Sequence, residues 1–435
     1  MTTDLPAPPP DPTPGRRACA EFGRAARLSR RRFLGAAASA VAMTTVFGSV
    51  VRETAFAASS GGNVMVVLSM RGGLDGLGLV VPHGDAGYYA ARPRIGVPVG
   101  ALLEKDAMFG LHPSLAALAP LFASGRLAAV HAAGLPVPNR SHFEAMELIE
   151  DADPTSSERR GWVNRMSGLS APDHAVVHLT STIEPTLVTG PAPALAVKRL
   201  DDVRVVGADG DPAWSARRLD QLRTVWGSAE GPLADAGRSV LRTIDTVGPV
   251  AQRTYQPTAG VTYPSDWPAV ELSTALRDTA RLIKADIGTE VVNIDYGSWD
   301  MHAGYGTTEW GSMQAMNRGF ADALAAFLAD LAPVADRVTV VTISEFGRRV
   351  DENGSGGLDH GWGNVMLVAG GGVKGGRYYG SWPGLAPAGS TQGTELAVTT
   401  DFRDVLGEIA TKRLGASIAT AFPGHSYNPL GVIAT

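Results

Sequence analysis

Five stretches of this 435-residue chain are unbroken apolar runs rich in β-branched residues, and each stops abruptly at a glycine-rich or polar cluster. They are residues 64–69, 127–132, 291–294, 338–343 and 364–369. A strand with one wet face alternates apolar and polar side chains, so an unbroken apolar run predicts a strand covered on both faces. Helical patterns fill the intervals at 113–124, 267–287, 313–331 and 402–414; in the second, Val270, Leu272, Leu276, Ala280 and Ile283 fall near helical spacing. Alternation of this kind predicts an α/β domain, a mainly parallel sheet with helices on both faces. Ligand sites in such sheets lie beyond the carboxyl ends of the strands. The clusters to examine are therefore 71–76, 139–142, 295–302, 344–348 and 370–376.

Two segments depart from this rhythm. Residues 201–286 carry helical patterns and a polar loop at 252–268 but no convincing strand, which fits either a helical insertion or crossover helices of the same domain. Residues 1–57 combine a basic, Pro-rich start, the run Ser29-Arg30-Arg31-Arg32-Phe33-Leu34, a weakly apolar stretch from Leu34 to Val51, and Ala55-Phe56-Ala57. A basic region, a short apolar region and a small-x-small end are the parts of a cleaved export signal. The Ser-Arg-Arg-x-Phe-Leu order resembles the twin-arginine type, which implies export in the folded state. The expected location is periplasmic, cell-wall or extracellular. The leader holds eight Arg, four acids and the lone Cys19, so a formal charge of −5 becomes −9 over 58–435, with no cysteine. That charge excludes a phosphate-tracking nucleic-acid binder, and a disulfide framework is absent. No membrane span is expected after cleavage.

Within the clusters, Asp300 and His302 are two apart, and in an extended segment both side chains point the same way, toward one cation. Glu345 closes one strand, and Asp359-His360 precede the next. A carboxylate and an imidazole on neighbouring strand ends form a usual setting for zinc, manganese or calcium. Asp75, in the glycine-rich turn after the first run, is either a further metal ligand or a turn aspartate bonded to its own backbone. Ser141-x-x-Glu144 is a capping box, yet a serine at a helix start flanked by Arg140 and His142 is also placed to act as a nucleophile on a bound anion. The Gly370-x-Gly372-x-x-Gly375 pattern is not followed by a helical pattern and fails as a dinucleotide fingerprint.

Taken in order, Leu68-Ser69-Met70-Arg71-Gly72-Gly73-Leu74-Asp75-Gly76-Leu77, Asn139-Arg140-Ser141-His142-Phe143, Tyr296-Gly297-Ser298-Trp299-Asp300-Met301-His302, Ser344-Glu345-Phe346-Gly347-Arg348 and the Gly370–Gly376 segment resemble domain-of-unknown-function family 1501. These are exported bacterial proteins of the alkaline phosphatase/sulfatase-like superfamily. The resemblance spans about 63–429. It implies an alkaline phosphatase-like fold and a metal-dependent hydrolase of phosphate or sulfate esters, acting on a small anionic ester or a surface polymer. By position, Asp75, Asp300, His302 and His360 resemble the family's metal ligands and Ser141 its nucleophile. Where that superfamily has Asp-His, this chain has Glu345-Phe346. A degenerate, non-catalytic binding site is therefore the second expectation.

Overall fold

The computed structural model describes residues 61–434 apart from 168–171, 173, 206–210 and 386–394. The export signal expected at 1–57 lies outside the described residues. Strand β1 (Val64–Met70) is buried throughout, and its side chains divide between two apolar layers. Val64, Val66, Leu68 and Met70 join one cluster, while Met65 and Val67 join another. Successive side chains on a strand face opposite ways, so the unbroken apolar run is the signature of a strand sandwiched on both sides. Each apolar side chain so buried stabilises the fold by about 1.5–3 kcal/mol.

The remaining strands are β2 (Val80–Val81), β3 (Gly110–Leu111), β4 (Leu127–Gly134), β5 (Val176–Leu179), β6 (Leu195–Val197), β7 (Val291–Tyr296), β8 (Val338–Ile343), β9 (Asn364–Gly370), β10 (Tyr378–Tyr379) and β11 (Thr400–Asp401). Nine form one sheet in the order β10-β4-β9-β8-β1-β7-β5-β6, with β11 also paired to β4; β2 and β3 make a small antiparallel ribbon. The long helices are α1 (His142–Asp151), α2 (Pro212–Ser228), α3 (Pro232–Gln252), α4 (Ala269–Ala285), α5 (Ser312–Asp330) and α6 (Phe402–Leu414). Leu272, Leu276 and Ile283 of α4 and Phe320, Leu324 and Phe327 of α5 pack in the layer that holds Val66. Met146 and Ile149 of α1 and Val405, Leu406 and Ile409 of α6 pack in the layer that holds Val67. The expected α/β architecture, with helices on both faces of a mainly parallel sheet, is present.

The 200s are not uniform. Helix α2 has no buried residue and lies on α3. Helix α4 buries Leu272, Ala275, Leu276, Ala280 and Ile283 in the main core and leads directly into β7, as a crossover helix does. No helix among the described residues is long and apolar enough to cross a membrane.

One strand runs against expectation. β9 is antiparallel to both neighbours, β4 and β8, whereas every other pairing in the large sheet is parallel. Its amino end, not its carboxyl end, therefore lies at the edge where β1, β7 and β8 finish. The glycine cluster at 370–376, expected beside the other polar clusters, sits at the opposite edge.

Two buried histidines give the fold a pH dependence. His131 on β4 stacks on Phe109 with ring centroids 4.4 Å apart, and its Nδ1 has no hydrogen-bond partner. Burial pushes His131 and His112 each down to about 4. A base whose folded pKa lies below its unfolded value binds its proton first in the unfolded chain. Stability is therefore lost as pH falls from about 6.5 to about 4, by up to about 1.4 kcal/mol per pH unit for each residue. Urea unfolding at stepped pH is expected to show this loss, and His131→Phe is expected to remove its share of the slope. An unchanged slope in the variant would contradict this account.

Candidate metal centre

The site is built by strand register. Ser69 of β1 pairs with Asp295 of β7 and with Ile343 of β8, so the three central strands end level. Their loops, 71–75, 297–302 and 344–349, leave from one edge, and the reversal of β9 brings 359–363 to that edge as well. The start of α1 adds His142. The loops close on one another at Gly72, which has φ +114° and where a Cβ would stand 2.7 Å from the Asp300 nitrogen. Only glycine allows that approach. Arg348, 2% exposed, then ties the loops together. Its guanidinium donates to the carbonyls of Gly73 (2.6 Å), Leu358 (3.0 Å), Trp299 (3.2 Å) and Gly72, and to Asp300 Oδ1 at 2.6 Å.

Four side chains converge in this frame. Atoms of His142, Asp300 and His360 lie within 4.8 Å of one another and could hold a metal ion. His302 Nε2 is 3.0 Å from His360 Nε2 and 3.0 Å from Asp300 Oδ1, which is itself 3.3 Å from His360 Nε2. The hydrogen-bond partners on the outer sides of the rings fix the tautomers. His302 Nδ1 faces Asp359 Oδ1 at 3.0 Å, His360 Nδ1 faces the Arg140 carbonyl at 2.9 Å, and His142 Nδ1 faces Glu345 Oε1 at 2.9 Å. Each partner accepts, so each Nδ1 carries a proton, and a neutral ring then turns its Nε2 lone pair inward. In neutral rings two such lone pairs and a carboxylate oxygen meet across 3.0–3.3 Å, an arrangement relieved by a proton on one Nε2 or by a cation among them. His142 Nε2, buried, without a hydrogen bond and 3.5 Å from Asp300 Oδ2, completes the set. Ligands at about 2.0–2.1 Å from a tetrahedral zinc lie about 3.3 Å from each other, so the spacing among Asp300, His302 and His360 fits a divalent cation.

Electrostatics agree with that reading. Burial opposes ionisation of Asp300, but the hydrogen bond and charge of Arg348 outweigh it and hold the carboxyl below its usual range. Hydrogen bonds from His302 and Asn353 do the same for Asp359. Burial lowers His360, keeping the imidazole neutral and available as a donor of electrons.

The other expected site residues lie elsewhere. Asp75 is not in the cluster; it is 3% exposed and clamped by Arg92 through two bonds of 2.6 and 2.9 Å, with the Tyr305 hydroxyl donating at 2.5 Å. A buried guanidinium there leaves no place for a cation. Glu345 and Asp359, expected as ligands, instead accept from the outer nitrogens of His142 and His302, the position from which a carboxylate orients a metal-binding imidazole. Ser141, expected as nucleophile, is the exposed N-cap of α1; its Oγ accepts the Glu144 N–H at 3.5 Å, and no side-chain base bonds it among the described residues. Arg140 spends its guanidinium on Glu395 in two 2.5 Å contacts and offers the site only its carbonyl. His142, expected to assist Ser141, presents a ligand atom itself. Arg92 and Arg348 were missed as determinants of the site, because a long-range arginine partner leaves no local pattern.

Beside the cluster opens a cleft of about 690 Å³ whose lining includes Arg71, His142, Phe143, Glu150, Asp295 and Asp300. Phe346 packs against His142 and His360 at 4.9 and 4.7 Å between ring centroids, an apolar wall where the resemblance placed an imidazole.

Residues 279–403, which include Asp300, His302, Glu345, Asp359 and His360, match a family model described as "Protein of unknown function (DUF1501)". That segment is similar to the family. No curated protein matches the chain. Solved structures with some likeness include the C-terminal periplasmic domain of EcEptC from Escherichia coli, in complex with Zn (9% identity, 74% of this chain and 76% of that one, TM-score 0.30). Phosphonate monoester hydrolase of Agrobacterium radiobacter (12%, 84% and 78%, 0.34) and alkaline phosphatase from the Antarctic bacterium TAB5 (8%, 73% and 95%, 0.28) are two more. At such TM-scores these likenesses assign no role to any residue, and the reading of the site rests on its own side chains.

Proposed function

We propose that this protein is an exported, metal-dependent hydrolase of phosphate or sulfate esters, with a divalent cation held by His142, Asp300, His302 and His360. The observation that carries the reading is the convergence of the three Nε2 atoms and the Asp300 carboxylate. Three imidazoles and one carboxylate suit zinc or manganese; calcium prefers six to eight oxygens, so it fits least well. When bound, such an ion supplies Lewis-acid polarisation of an ester oxygen. Glu345, Asp359 and the Arg140 carbonyl orient the three rings, Arg348 fixes Asp300, and Phe346 keeps one wall dry. With the Ser141 hydroxyl engaged as a cap and outside the cleft lining, direct attack by water is favoured over a serine intermediate. Export follows from the Ser29–Leu34 motif, and the substrate is a small anionic ester or an ester on a surface polymer.

Phe346 favours a second reading, a non-catalytic exported binding or cell-surface protein that keeps the fold with a degenerate site. Elemental analysis of the purified protein, followed by assays on aryl phosphate and aryl sulfate esters with and without chelator, separates the two. Bound metal with chelator-sensitive turnover is expected. Bound metal with no turnover on either ester class favours the second reading, and absence of metal removes the hydrolase reading.

A further inference from the structure

We propose that Arg71 is the second holding point for the anionic group of the substrate, and that anion binding requires Arg71 and the metal together. This rests on the hydrolase reading above. Arg71 follows β1 directly; its N–H donates to the Tyr296 carbonyl at 2.9 Å and its carbonyl accepts from Trp299 N at 3.3 Å. The next residue, Gly72, donates its N–H at 2.7 Å to Glu345 Oε1, the same oxygen that accepts from His142 Nδ1. One peptide unit therefore connects Arg71 to the frame of the candidate centre, and its side chain lines the adjoining cleft.

The guanidinium is held rather than loose. Nη2 donates to Glu150 Oε1 at 2.6 Å and lies 3.0 Å from Asp295 Oδ1; the Glu150 side chain is 4% exposed and that of Arg71 27%. These contacts use Nη2 alone, which leaves the Nε and Nη1 donors for the cleft. A guanidinium fixed in its plane offers directed N–H groups that match the oxygens of phosphate or sulfate. Arg159, the other guanidinium lining the cleft, is 62% exposed and uses its Nε on Thr186 Oγ1 and Glu147, so it is the poorer anchor.

Charge then decides how Arg71 works. Glu150 and Asp295 together outweigh its single positive charge, so Arg71 cannot attract a free anion by field alone. It supplies geometry, and the cation must supply the attraction. Metal and anion binding are thus linked, each strengthening the other.

Calorimetric titration of inorganic phosphate, with sulfate as a second arm, into zinc- or manganese-loaded protein tests this, with metal content measured in parallel. The loaded wild type is expected to bind. Chelation, and Arg71→Met at unchanged metal content, are each expected to weaken binding at least tenfold, with partial recovery in Arg71→Lys. If Arg71→Met fails to fold, Arg71→Lys carries the test through a several-fold loss with the fold intact. Phosphate affinity equal to wild type in the folded variant, or binding that survives chelation, overturns the proposal. Arg71-dependent anion binding without ester turnover would leave this inference standing and remove the hydrolase reading. Turnover with Arg71→Met unimpaired would do the reverse.

Discussion

Arg92→Met is expected to lower the unfolding free energy by about 3–5 kcal/mol, the usual consequence of stripping one partner from a buried ion pair. Arg92 is 1% exposed and Asp75 3%. Methionine replaces the stem of the arginine but not its charge, and Asp75 keeps only the Tyr305 hydroxyl as a side-chain donor. Arg92 also donates to the carbonyls of Val350 at 2.9 Å and Arg349 at 3.1 Å, which the variant leaves bare. Replacing both partners, Arg92→Met with Asp75→Leu, is expected to recover much of the loss, since no charge is then left unpaired. Urea unfolding of the two variants measures this. A single-variant loss below about 1 kcal/mol would mean that Asp75 finds another cation, and would restore it as a candidate ligand.

His302→Ala is expected to weaken zinc or manganese binding by more than about 100-fold, because loss of an outer carboxylate partner alone costs about 10–100-fold. Asp359→Asn, which leaves His302 in place but removes the charge behind its Nδ1–H, is expected to fall within that smaller range. The wild type is expected to melt at a lower temperature after chelation, since a ligand bound only to the native state stabilises it by mass action. The His302→Ala protein should melt at the chelated temperature whether or not metal is added. Equal metal affinity in His302→Ala and wild type, by titration against a competing indicator, would remove His302 from the centre.

Much of the fold was legible because burial on both faces erases alternation, and the runs around Val66, Val292 and Val340 have none. What could not be read was strand direction. Apolar composition is the same whichever way a strand points, so nothing in residues 364–369 marks β9 as reversed. Asp300, His302 and His360 were picked out as candidates from spacing and from their place beside strands, and the fold brings them together. Asp75 could not be placed because its fate depends on Arg92, which reaches it from just past the end of a short helix, Ala86–Ala91, and carries no pattern of its own. Glu345 and Asp359 were located correctly but given the wrong neighbour; the residue types that bind a metal and those that orient its ligands are the same, and only distances distinguish them. Ser141 followed its local pattern, a capping box, and did no more.

The reversed strand has one more consequence. Among the described residues, β9 is the only strand hydrogen-bonded to both the β4 side of the sheet and the side carrying β8, β1 and β7. His142 comes from the first side, Asp300 and His302 from the second, and His360 from the approach to β9 itself. The four side chains therefore come together only where β9 joins the two halves of the sheet, like a keystone. An ion held there would report a completed sheet, because no single half carries the whole set.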